Sequence, residues 1–291
     1  MKDFEYAAPT DVADAVGLLE KHGERAKLLA GGTDIIVQLR EGLREADVVV
    51  DVKKIPELIA LSYSAADGLT LGAATPCYQI YEHAEVAEAY GGLCDAARII
   101  GGWQSQSRAS VGGNLCNSSP AADSIPPLIA YQAVANIAGP GGNREVPIAE
   151  FCTAPGKNVL QPGEMLVSLT LPAQPAQSGC AYQRFIPRNE MDIAVAGAAS
   201  WVQFDEAGET IQSARIALAA VAPTPVIAQA ASDYLAGKPA NEETFAEAGK
   251  LAKQAAKPIS DMRGTEEYRV HLASVLTKRT LAIAAERAKA E

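Results

Sequence analysis

The chain has 291 residues, 48% of them apolar, which is long enough for two or three small domains and typical of an ordered globular protein. Its formal net charge of −10 argues against a nucleic-acid-binding surface, because binding phosphates requires a surplus of Lys and Arg. The apolar runs are too short to span a membrane, and the acidic stretch MKDFEYAAPTDVADAV lacks the apolar region of a signal peptide. We therefore expect a cytoplasmic protein, with export inside a partner complex as the alternative.

The N-terminal part of the chain predicts strands that alternate with helices. Thr10 and Asp11 have side chains that commonly cap the N-terminus of a helix, and glycine, as at Gly23, commonly ends one. A helix is therefore expected between them. The stretch AKLLA then predicts a short buried strand. IIVQLREG predicts a helix that ends at Gly42, and ADVVVDV predicts a strand covered on both faces. Together these segments indicate a β-α-β-α-β start.

Two hairpins and a helical region are predicted next. LIALSYS and LTLGAAT form the arms of a hairpin with Asp67-Gly68 as its turn. AVANIAGPGGNREVPIA predicts a second hairpin with Gly and Pro at its tip. Residues 78–100, between the two, are predicted to be helical with a break at Gly91-Gly92.

A linker and a second half complete the chain. The Pro- and Gln-rich stretch LPAQPAQSG, residues 171–179, is the best linker candidate and follows the predicted strand EMLVSLTL. Beyond it we predict the strands IAVAGAASWVQF and IQSARIALAAV, and three helices around residues 225–236, 242–255 and 264–289. The fold class is therefore predicted to be α+β, with separate N- and C-terminal halves.

Cysteines and histidines are scattered along the chain. The number of cysteines is odd and no two form a C-x-x-C pair, which argues against a disulfide framework, a zinc site or an iron–sulfur site. We expect buried thiols in a reducing compartment at Cys77, Cys94, Cys116, Cys152 and Cys180. The histidines lie too far apart to predict a metal site: His22, His83 and His271.

The glycine pair Gly31-Gly32 in LLAGGTDII lies between a predicted strand and a predicted helix. Glycine permits positive φ and lets a ligand approach the backbone, and N–H groups at a helix start attract an anion. Thr33 can add a hydroxyl donor. The stretch is neither a G-x-G-x-x-G fingerprint nor a P-loop. A tight connection between strand and helix, without a ligand, is the alternative.

The stretch RASVGGNLCNSSPAADSIPPLIA repeats this pattern. Gly112 and Gly113 expose N–H groups between Ser110 and Asn114, so the backbone can hold a pyrophosphate with little help from Lys or Arg. Asp123 is the only acid in the stretch. It is either a ligand for ribose hydroxyls or the N-cap of a helix over SIPPLIAY, and the two roles can coexist. Two such loops in one chain suggest a large nucleotide held between subdomains.

Several motifs together resemble the FAD-binding medium subunit of the molybdenum hydroxylases, the family of xanthine and carbon monoxide dehydrogenases. They are LLAGGTDII, SVGGNLCNSSPAADSIPPLIA, GEMLVSLTLP and YQRFIPRNEMDIAVAGAA. SDMRGTEEYRVHLASVLTKR also resembles the last helical region of that family. The resemblance covers nearly the whole chain, and the order and spacing of the motifs make it specific.

The resemblance implies a fold and a domain division. The fold would be α+β, with the two-subdomain FAD-binding fold of vanillyl-alcohol oxidase-like (PCMH-type) flavoproteins followed by a small α+β C-terminal domain. The FAD-binding domain would cover residues 1–175, with subdomains of about 1–54 and 55–175. The C-terminal flavoprotein domain would cover residues 178–291.

The resemblance also implies which residues bind FAD. Residues 28–35 would wrap the pyrophosphate, residues 110–114 would hold its other side, and Asp123 would bind the ribose or ribityl region. Arg184 is often Lys in the family, so a cation is required there, and the segment from Arg184 to Ile193 would form a loop near the isoalloxazine. The implied cofactor-binding residues are Leu28, Leu29, Ala30, Gly31, Gly32, Thr33, Asp34, Ile35, Ile100, Ser110, Val111, Gly112, Gly113, Asn114, Asp123, Leu166 and Arg184.

The division of labour in the family gives this chain an electron-transfer role. A flavin exchanges electrons singly or in pairs, so it can join one-electron clusters to a two-electron acceptor. The resemblance implies a molybdopterin-binding large subunit that hydroxylates the substrate, and a small subunit with [2Fe–2S] clusters that passes electrons to this FAD, as a dimer of heterotrimers. No catalytic side chain and no metal ligand are then expected here. The substrate and the final acceptor (NAD⁺, quinone, ferredoxin or oxygen) stay open.

Two other functions are considered. A self-contained flavoprotein oxidase or reductase would carry acid–base residues, but the C-terminal half offers only His271, next to Leu272 on a predicted helix, and this histidine is expected to be structural. An assembly subunit that has lost FAD would not need the glycine pairs, Asn114 and Asp123. The cysteine-rich [4Fe–4S] insertion of the hydroxybenzoyl-CoA reductases is absent, so Cys116 is expected to be a packing residue.

Overall fold

The N-terminal segment of the computed structural model is a three-stranded parallel sheet with two helices. The structure describes residues 2–188 and 191–290. The elements of this segment are β1 (Glu5–Ala7), α1 (Val12–His22), β2 (Ala26–Leu29), α2 (Ile35–Arg40) and β3 (Val48–Asp51). The strand order is β1-β3-β2, so the predicted β-α-β-α-β start is confirmed.

The ends predicted for α1 are confirmed. Asp11 Oδ1 accepts a hydrogen bond from the Asp14 N–H at 2.8 Å, and the N–H of Gly23 donates to Leu19 O. Both bonds satisfy backbone or cap groups that a helix end leaves free. β3 is also confirmed as a strand covered on both faces, because residues 48–50 are all buried.

A five-stranded antiparallel sheet follows, with short helices between its strands in sequence. Its region contains the strands β4 (Leu61–Ser64), β5 (Gly68–Gly72), β6 (Val134–Gly139), β7 (Gly142–Pro147), β8 (Cys152–Ala154), β9 (Lys157–Asn158) and β10 (Met165–Leu171). The helices are α3 (Pro56–Ile59), α4 (Cys77–Glu82), α5 (Ala84–Ala89), α6 (Gly91–Ala97), α7 (Trp103–Gln106), α8 (Val111–Asn117), α9 (Ile125–Ala130) and α10 (Ile148–Phe151). The strand order is β4-β5-β10-β6-β7, and β8 pairs with β9.

Both predicted hairpins are confirmed, but the first has a different turn. Ser64 pairs with Gly68, so residues 65–67 form the connection and the turn is not Asp67-Gly68. The Asp67 N–H donates to Ser64 Oγ at 3.0 Å, and this hydroxyl donates to Asp67 Oδ2 at 2.9 Å, which closes the turn. The start of the predicted first strand is helix α3, because Pro56 favours a helix start.

The helical region over residues 78–100 has two breaks. α4 ends before His83 and α5 ends before Tyr90, so the second break lies just before the predicted position at Gly91-Gly92. Tyr90 itself has non-helical backbone angles, φ −122° and ψ 45°, and its buried hydroxyl donates to Pro172 O at 2.9 Å. Gly92 lies inside α6, where a Cβ would come within 2.6 Å of the Cys180 sulfur, so it permits close packing.

The C-terminal half is a four-stranded antiparallel sheet covered by three helices. Its elements are β11 (Ser178–Phe185), β12 (Ala196–Phe204), β13 (Ile211–Ala219), β14 (Val226–Ile227), α11 (Gln229–Leu235), α12 (Glu242–Ala252) and α13 (Glu266–Lys289). The strand order is β11-β12-β13-β14. The three predicted helices are confirmed, except that the first begins later than predicted, at Gln229, because residues 226–227 form β14. The predicted strands that contain β12 and β13 are also confirmed.

Strand β11 is missing from the sequence prediction. Arg184 lies inside this strand, so the predicted loop from Arg184 to Ile193 begins later, after Phe185. Asn189 and Glu190 of that loop lie outside the described residues. The predicted linker is also shorter than expected, because Leu171 ends β10 and residues 172–177 are the connection to β11.

The two halves share a hydrophobic core. Cys180, Tyr182 and Trp201 of the C-terminal sheet belong to the same buried cluster as Leu93 and Leu128 of the N-terminal helices. The predicted separation of the halves therefore holds for their sheets but not for their packing. Among the described helices, none combines the length and the apolar character needed to cross a membrane.

Candidate functional site

The two glycine stretches lie against each other, although they are far apart in sequence. Gly31 and Gly32 connect β2 to α2, and Gly32 has φ +77°, a left-handed conformation that favours glycine. A Cβ on Gly31 would overlap the carbonyl oxygen of Arg108 and lie 2.9 Å from the Ala109 nitrogen. Only glycine permits this contact, which holds the first turn against the segment leading to Ser110.

On both sides of this contact, some backbone N–H groups donate no hydrogen bond to any residue that the structure describes. They are the N–H groups of residues 31–35 and that of Gly112. Val111 differs, because it directly follows Ser110, which forms an antiparallel bridge with Pro76. The next N–H groups are paired: Ile36 donates to Gly32 O at 3.2 Å, and Gly113 donates to Ser110 Oγ at 3.1 Å. Clustered free N–H groups of this kind can hold an anion.

The stretch SVGGN is the first turn of α8 and not the loop that the sequence predicts. Ser110 is its N-cap, and its hydroxyl accepts the bond from Gly113 that starts a regular helix. Gly112 is buried, and a Cβ there would lie 2.6 Å from Ala73 Cα. Gly113 is exposed, and a Cβ there would meet only Ser110 Oγ, at 3.0 Å. Gly112 is therefore needed for packing, whereas Gly113 leaves the surface open.

Asp123 is not the N-cap of α9, so the capping alternative is wrong. The N-cap position is Ser124, whose side chain makes no capping bond. The Ser124 hydroxyl donates instead to Asn114 Oδ1 at 2.7 Å, which ties α8 to the start of α9. The Asp123 side chain is drawn away from the helix because its hydrogen-bond partners lie in the C-terminal half.

The Asp123 carboxylate is buried between two side chains of β11. Tyr182 Oη donates to Oδ1 at 2.8 Å, and Arg184 Nη1 forms an ion pair with Oδ2. Burial raises the pKa of Asp123 to about 6, although the charge of Arg184 and the hydrogen bond from Tyr182 lower it. The ion pair with Arg184 favours the charged carboxylate, which keeps lone pairs that can accept hydrogen bonds from hydroxyl groups.

Arg184 connects this pair to a further predicted position. Its Nη2 donates to Ile99 O at 2.8 Å, directly before Ile100. Ile100 packs against the N-terminal core, and Leu166 of β10 is buried within that core. The structure thus joins Asp123, Arg184 and the backbone beside Ile100 by polar contacts, whereas Leu166 is related to them only by apolar packing.

Side chains of the first predicted segment are mostly used for packing. Thr33 and Asp34 are exposed, and Asp34 Oδ2 accepts a bond from Gln38 Nε2 at 3.1 Å. What the segment offers a ligand is therefore its backbone and these two polar side chains. The other non-glycine residues pack against neighbouring apolar clusters: Leu28, Leu29, Ala30 and Ile35.

Three side chains that support the first glycine turn were missed by sequence analysis. Lys53 Nζ donates to Ala30 O at 3.0 Å and to Asp51 Oδ1 at 2.7 Å, and Tyr6 Oη donates to Asp51 Oδ2 at 2.7 Å. Burial raises the pKa of Asp51, but the bonds from Lys53 and Tyr6 outweigh it, so the pKa is lowered. The available signal was Asp51 and Lys53 together at the end of the apolar strand.

Metal and nucleophile chemistry has little support here. Among the described residues, no three His, Cys, Asp or Glu side chains are grouped to hold a metal ion. Cys116 packs against the N-terminal core as predicted, and burial raises the pKa of its thiol to about 12. His271 is exposed on α13.

Two open cavities lie away from the candidate site. A cavity of about 710 Å³ is lined by Asn136 and Arg144 on the five-stranded sheet, and one of about 630 Å³ lies beside His271. Neither is lined by the glycine stretches or by Asp123. The free N–H groups and the buried ion pair are instead the features that make this region a candidate site, since such groups can bind a diphosphate and hydroxyl groups.

Two family models match the chain. Residues 2–174 match a family described as the FAD binding domain in molybdopterin dehydrogenase. Residues 181–284 match the CO dehydrogenase flavoprotein C-terminal domain.

Individual relatives agree over nearly the full length. The chain is 35% identical to the putative xanthine dehydrogenase FAD-binding subunit of Escherichia coli, over 97% of this chain and 96% of that protein. It is 31% identical to the carbon monoxide dehydrogenase medium chain of Hydrogenophaga pseudoflava, over 96% of each. Its structure matches reconstituted CO dehydrogenase from Oligotropha carboxidovorans with a TM-score of 0.92 and 30% identity, covering 98% of this chain and 99% of that one.

Proposed function

This chain belongs to the family of FAD-binding medium subunits of the molybdenum hydroxylases, and we propose that it relays electrons from [2Fe–2S] clusters of a partner subunit through FAD to an external acceptor. It is accordingly an oxidoreductase subunit with an FAD-binding domain. One observation carries the proposal for this chain's own residues. This observation is that the two glycine turns contact each other and that both carry N–H groups without a partner among the described residues. The same chain buries the ion pair between Asp123 and Arg184.

We propose that residues 28–35 and 110–114 hold the pyrophosphate of FAD. The free N–H groups of residues 31–35 and of Gly112 are suitable donors for phosphate oxygens. Thr33 adds an exposed hydroxyl, and Gly113 leaves room for a ligand. These features fit a dinucleotide held mainly by backbone groups.

Asp123, Arg184, Ile100 and Leu166 are proposed to complete the site. Asp123 accepts hydrogen bonds from the ribose or ribityl hydroxyls, and Arg184 supplies a positive charge. Ile100 and Leu166 contribute apolar contacts. The support is that Asp123 forms an ion pair with Arg184, and that Arg184 also donates to Ile99 O.

The chain's own residues bind, orient and shield the cofactor. FAD, when bound, supplies the exchange of one or two electrons. The backbone donors keep the pyrophosphate in place, and the buried pair fixes the charge beside it. No proton transfer by a side chain is required for electron relay. Substrate chemistry is assigned to the partner subunit.

The partners and the domain division complete the proposal. The relatives are medium chains and FAD-binding subunits of dehydrogenases, which implies large and small partner subunits. We propose a molybdopterin-binding large subunit and a [2Fe–2S] small subunit, assembled as a dimer of heterotrimers. Residues 1–175 are the proposed FAD-binding domain and residues 178–291 the C-terminal flavoprotein domain. The cytoplasmic location stays a prediction.

The FAD site is tested with the Gly113→Val variant. A branched side chain at this exposed position enters the space proposed for the pyrophosphate, so the Kd for FAD should rise more than about tenfold, roughly 1.4 kcal/mol. Fluorescence titration of the apoprotein measures it, and acid precipitation should release the flavin into the supernatant. Gly141→Val is the matched control, because a Cβ at Gly141 has nothing within 4 Å. Equal affinities of Gly113→Val and the wild-type protein would contradict the site.

The electron-relay role is tested by reconstitution. The purified single chain, free of molybdenum and iron, should show at most slow dye reduction with NADH. It should not oxidise purines, aldehydes or carbon monoxide. Partner subunits added back should restore substrate-driven bleaching of the flavin absorbance. Turnover of an organic substrate by the single chain at about 1–10³ per second would favour the self-contained oxidase instead.

A further inference from the structure

Tyr182 is a buried tyrosine whose hydroxyl reaches the proposed cofactor site. It lies in β11, and its Oη donates to Asp123 Oδ1 at 2.8 Å. A buried tyrosine hydroxyl needs one partner, and a backbone carbonyl would be sufficient. Here the partner is the only acid of the second glycine stretch.

The neighbouring strand provides space for this hydroxyl. Gly197 of β12 pairs with Arg184, and a Cβ on Gly197 would lie 2.5 Å from Tyr182 Oη and 3.2 Å from Cζ. Any other residue at this position would displace the phenol ring from Asp123. The hydrogen bond therefore depends on a glycine in another strand.

Tyr182 and Arg184 fix the two oxygens of one carboxylate. They are two residues apart in β11, so their side chains emerge on the same face of the strand. Tyr182 holds Oδ1 and Arg184 holds Oδ2, and Arg184 is fixed in turn by its bond to Ile99 O. The Asp123 carboxylate cannot rotate without losing one of its donors.

The backbone of Tyr182 is anchored independently of Asp123. Its N–H donates to Asp95 Oδ2 at 3.0 Å, and Asp95 forms a bidentate ion pair with Arg287 of α13, at 2.7 and 2.9 Å. Arg287 Nη1 also donates to Cys180 O at 2.6 Å. The donor that reaches Asp123 is thus held by both α6 and α13.

We propose that Tyr182 is a positioning residue, which holds the Asp123 carboxylate in the orientation that binds the ribose or ribityl hydroxyls of FAD. This inference rests on the proposed role of Asp123. Among the described residues, the charged and titratable groups that act on the Asp123 carboxyl are Arg184 and Tyr182. Removing the Tyr182 hydroxyl therefore changes both the orientation and the proton affinity of Asp123.

The test is FAD titration of the full-length Tyr182→Phe apoprotein from about pH 5 to pH 8. The Kd at neutral pH should rise about three- to tenfold, the effect of losing one hydrogen bond to a charged group. In the wild-type protein, the hydrogen bond from Tyr182 lowers the pKa of Asp123. Removing this bond raises that pKa, so the pH below which FAD affinity falls should move upward. Gly197→Ala, which displaces the hydroxyl but keeps the tyrosine, should shift the profile in the same direction.

Tyr90→Phe is the matched control. Tyr90 is also buried, and its hydroxyl donates to Pro172 O at 2.9 Å, away from any acid. This variant should lose stability but keep the wild-type Kd and pH profile. If Tyr182 has only a structural role, Tyr182→Phe will also lose stability but keep the wild-type Kd and pH profile. That result would overturn the proposal.

A double-mutant cycle separates this inference from the proposed function. In an Asp123→Asn background, Tyr182→Phe should have no further effect on the Kd for FAD. Equal weakening in both backgrounds would overturn the positioning role while leaving the FAD site intact. If Asp123→Asn binds FAD as well as the wild-type protein does, the proposed role of Asp123 fails, and the positioning role fails with it.

Discussion

Burial controls the chemistry of the cysteine residues. Burial raises the pKa of four thiols to about 12, and it also raises the pKa of the fifth, Cys152. At about pH 8, a thiol with such a pKa is ionised in roughly one molecule in ten thousand, and the thiolate is the reactive form. The four are Cys77, Cys94, Cys116 and Cys180.

We therefore predict that the folded protein resists alkylation. Iodoacetamide at about pH 8 should leave the native thiols largely unmodified over a period in which all five react in guanidinium chloride. Mass spectrometry of the intact chain measures the number of added groups. Rapid modification of one thiol in the native protein would show that its surroundings open readily.

Single residues also show where sequence reasoning succeeds. The motif SVGGN identified Gly112 and Gly113 together, but only the structure separates them. Gly112 packs against Ala73, a contact between distant segments that no local pattern contains. The sequence singled out both Asp123 and Arg184, but not that Arg184 and Tyr182 contact the Asp123 carboxylate, because β11 itself was not predicted.

At the scale of elements, β11 joins the two halves of the molecule. It lies at the edge of the C-terminal sheet and packs against α6 on one side and α13 on the other. A Cβ on Gly179 would lie 2.7 Å from the Ala288 nitrogen of α13. The strand was hard to predict because Gly179, Gln183 and Arg184 interrupt its apolar pattern. Capped helices such as α1 and α12 were predicted well, since their end signals are local.

Gly179→Ala is predicted to destabilise the protein. The added methyl group must push β11 away from the backbone of α13, which should lower the free energy of unfolding by about 1–3 kcal/mol. Urea denaturation followed by circular dichroism measures the change. Gly141→Ala, at an open position, should stay within about 0.5 kcal/mol of the wild-type protein. Equal stability of the two variants would contradict tight packing at β11.

At the scale of the whole molecule, the proposed domain division does not coincide with the packing. Trp201 and Ala217 of the C-terminal half are buried in the same cluster as the N-terminal helices. Two ion pairs also join the halves, one between Asp95 and Arg287 and one between Asp123 and Arg184. The sequence indicated two halves from a Pro- and Gln-rich connection, but composition carries no information about how much surface they share.

We predict that the protein unfolds in one cooperative transition. Separating the halves would expose the shared core, so neither should persist after the other unfolds. Differential scanning calorimetry should give one peak whose calorimetric and van't Hoff enthalpies agree. Two resolved peaks, or a stable isolated fragment of residues 1–175, would show that the halves fold independently.

The contact between Gly31 and Arg108 also bears on when the cofactor can be acquired. A ribosome delivers Gly31 long before Arg108, and the partners of Asp123 at Tyr182 and Arg184 come later still. Contacts between distant residues form late, because closing long loops is entropically unfavourable. β11 packs in turn on α13, which is synthesised later than β11. The groups proposed to bind the flavin therefore converge only after residues from both halves have been synthesised, and we expect the cofactor to bind after that point.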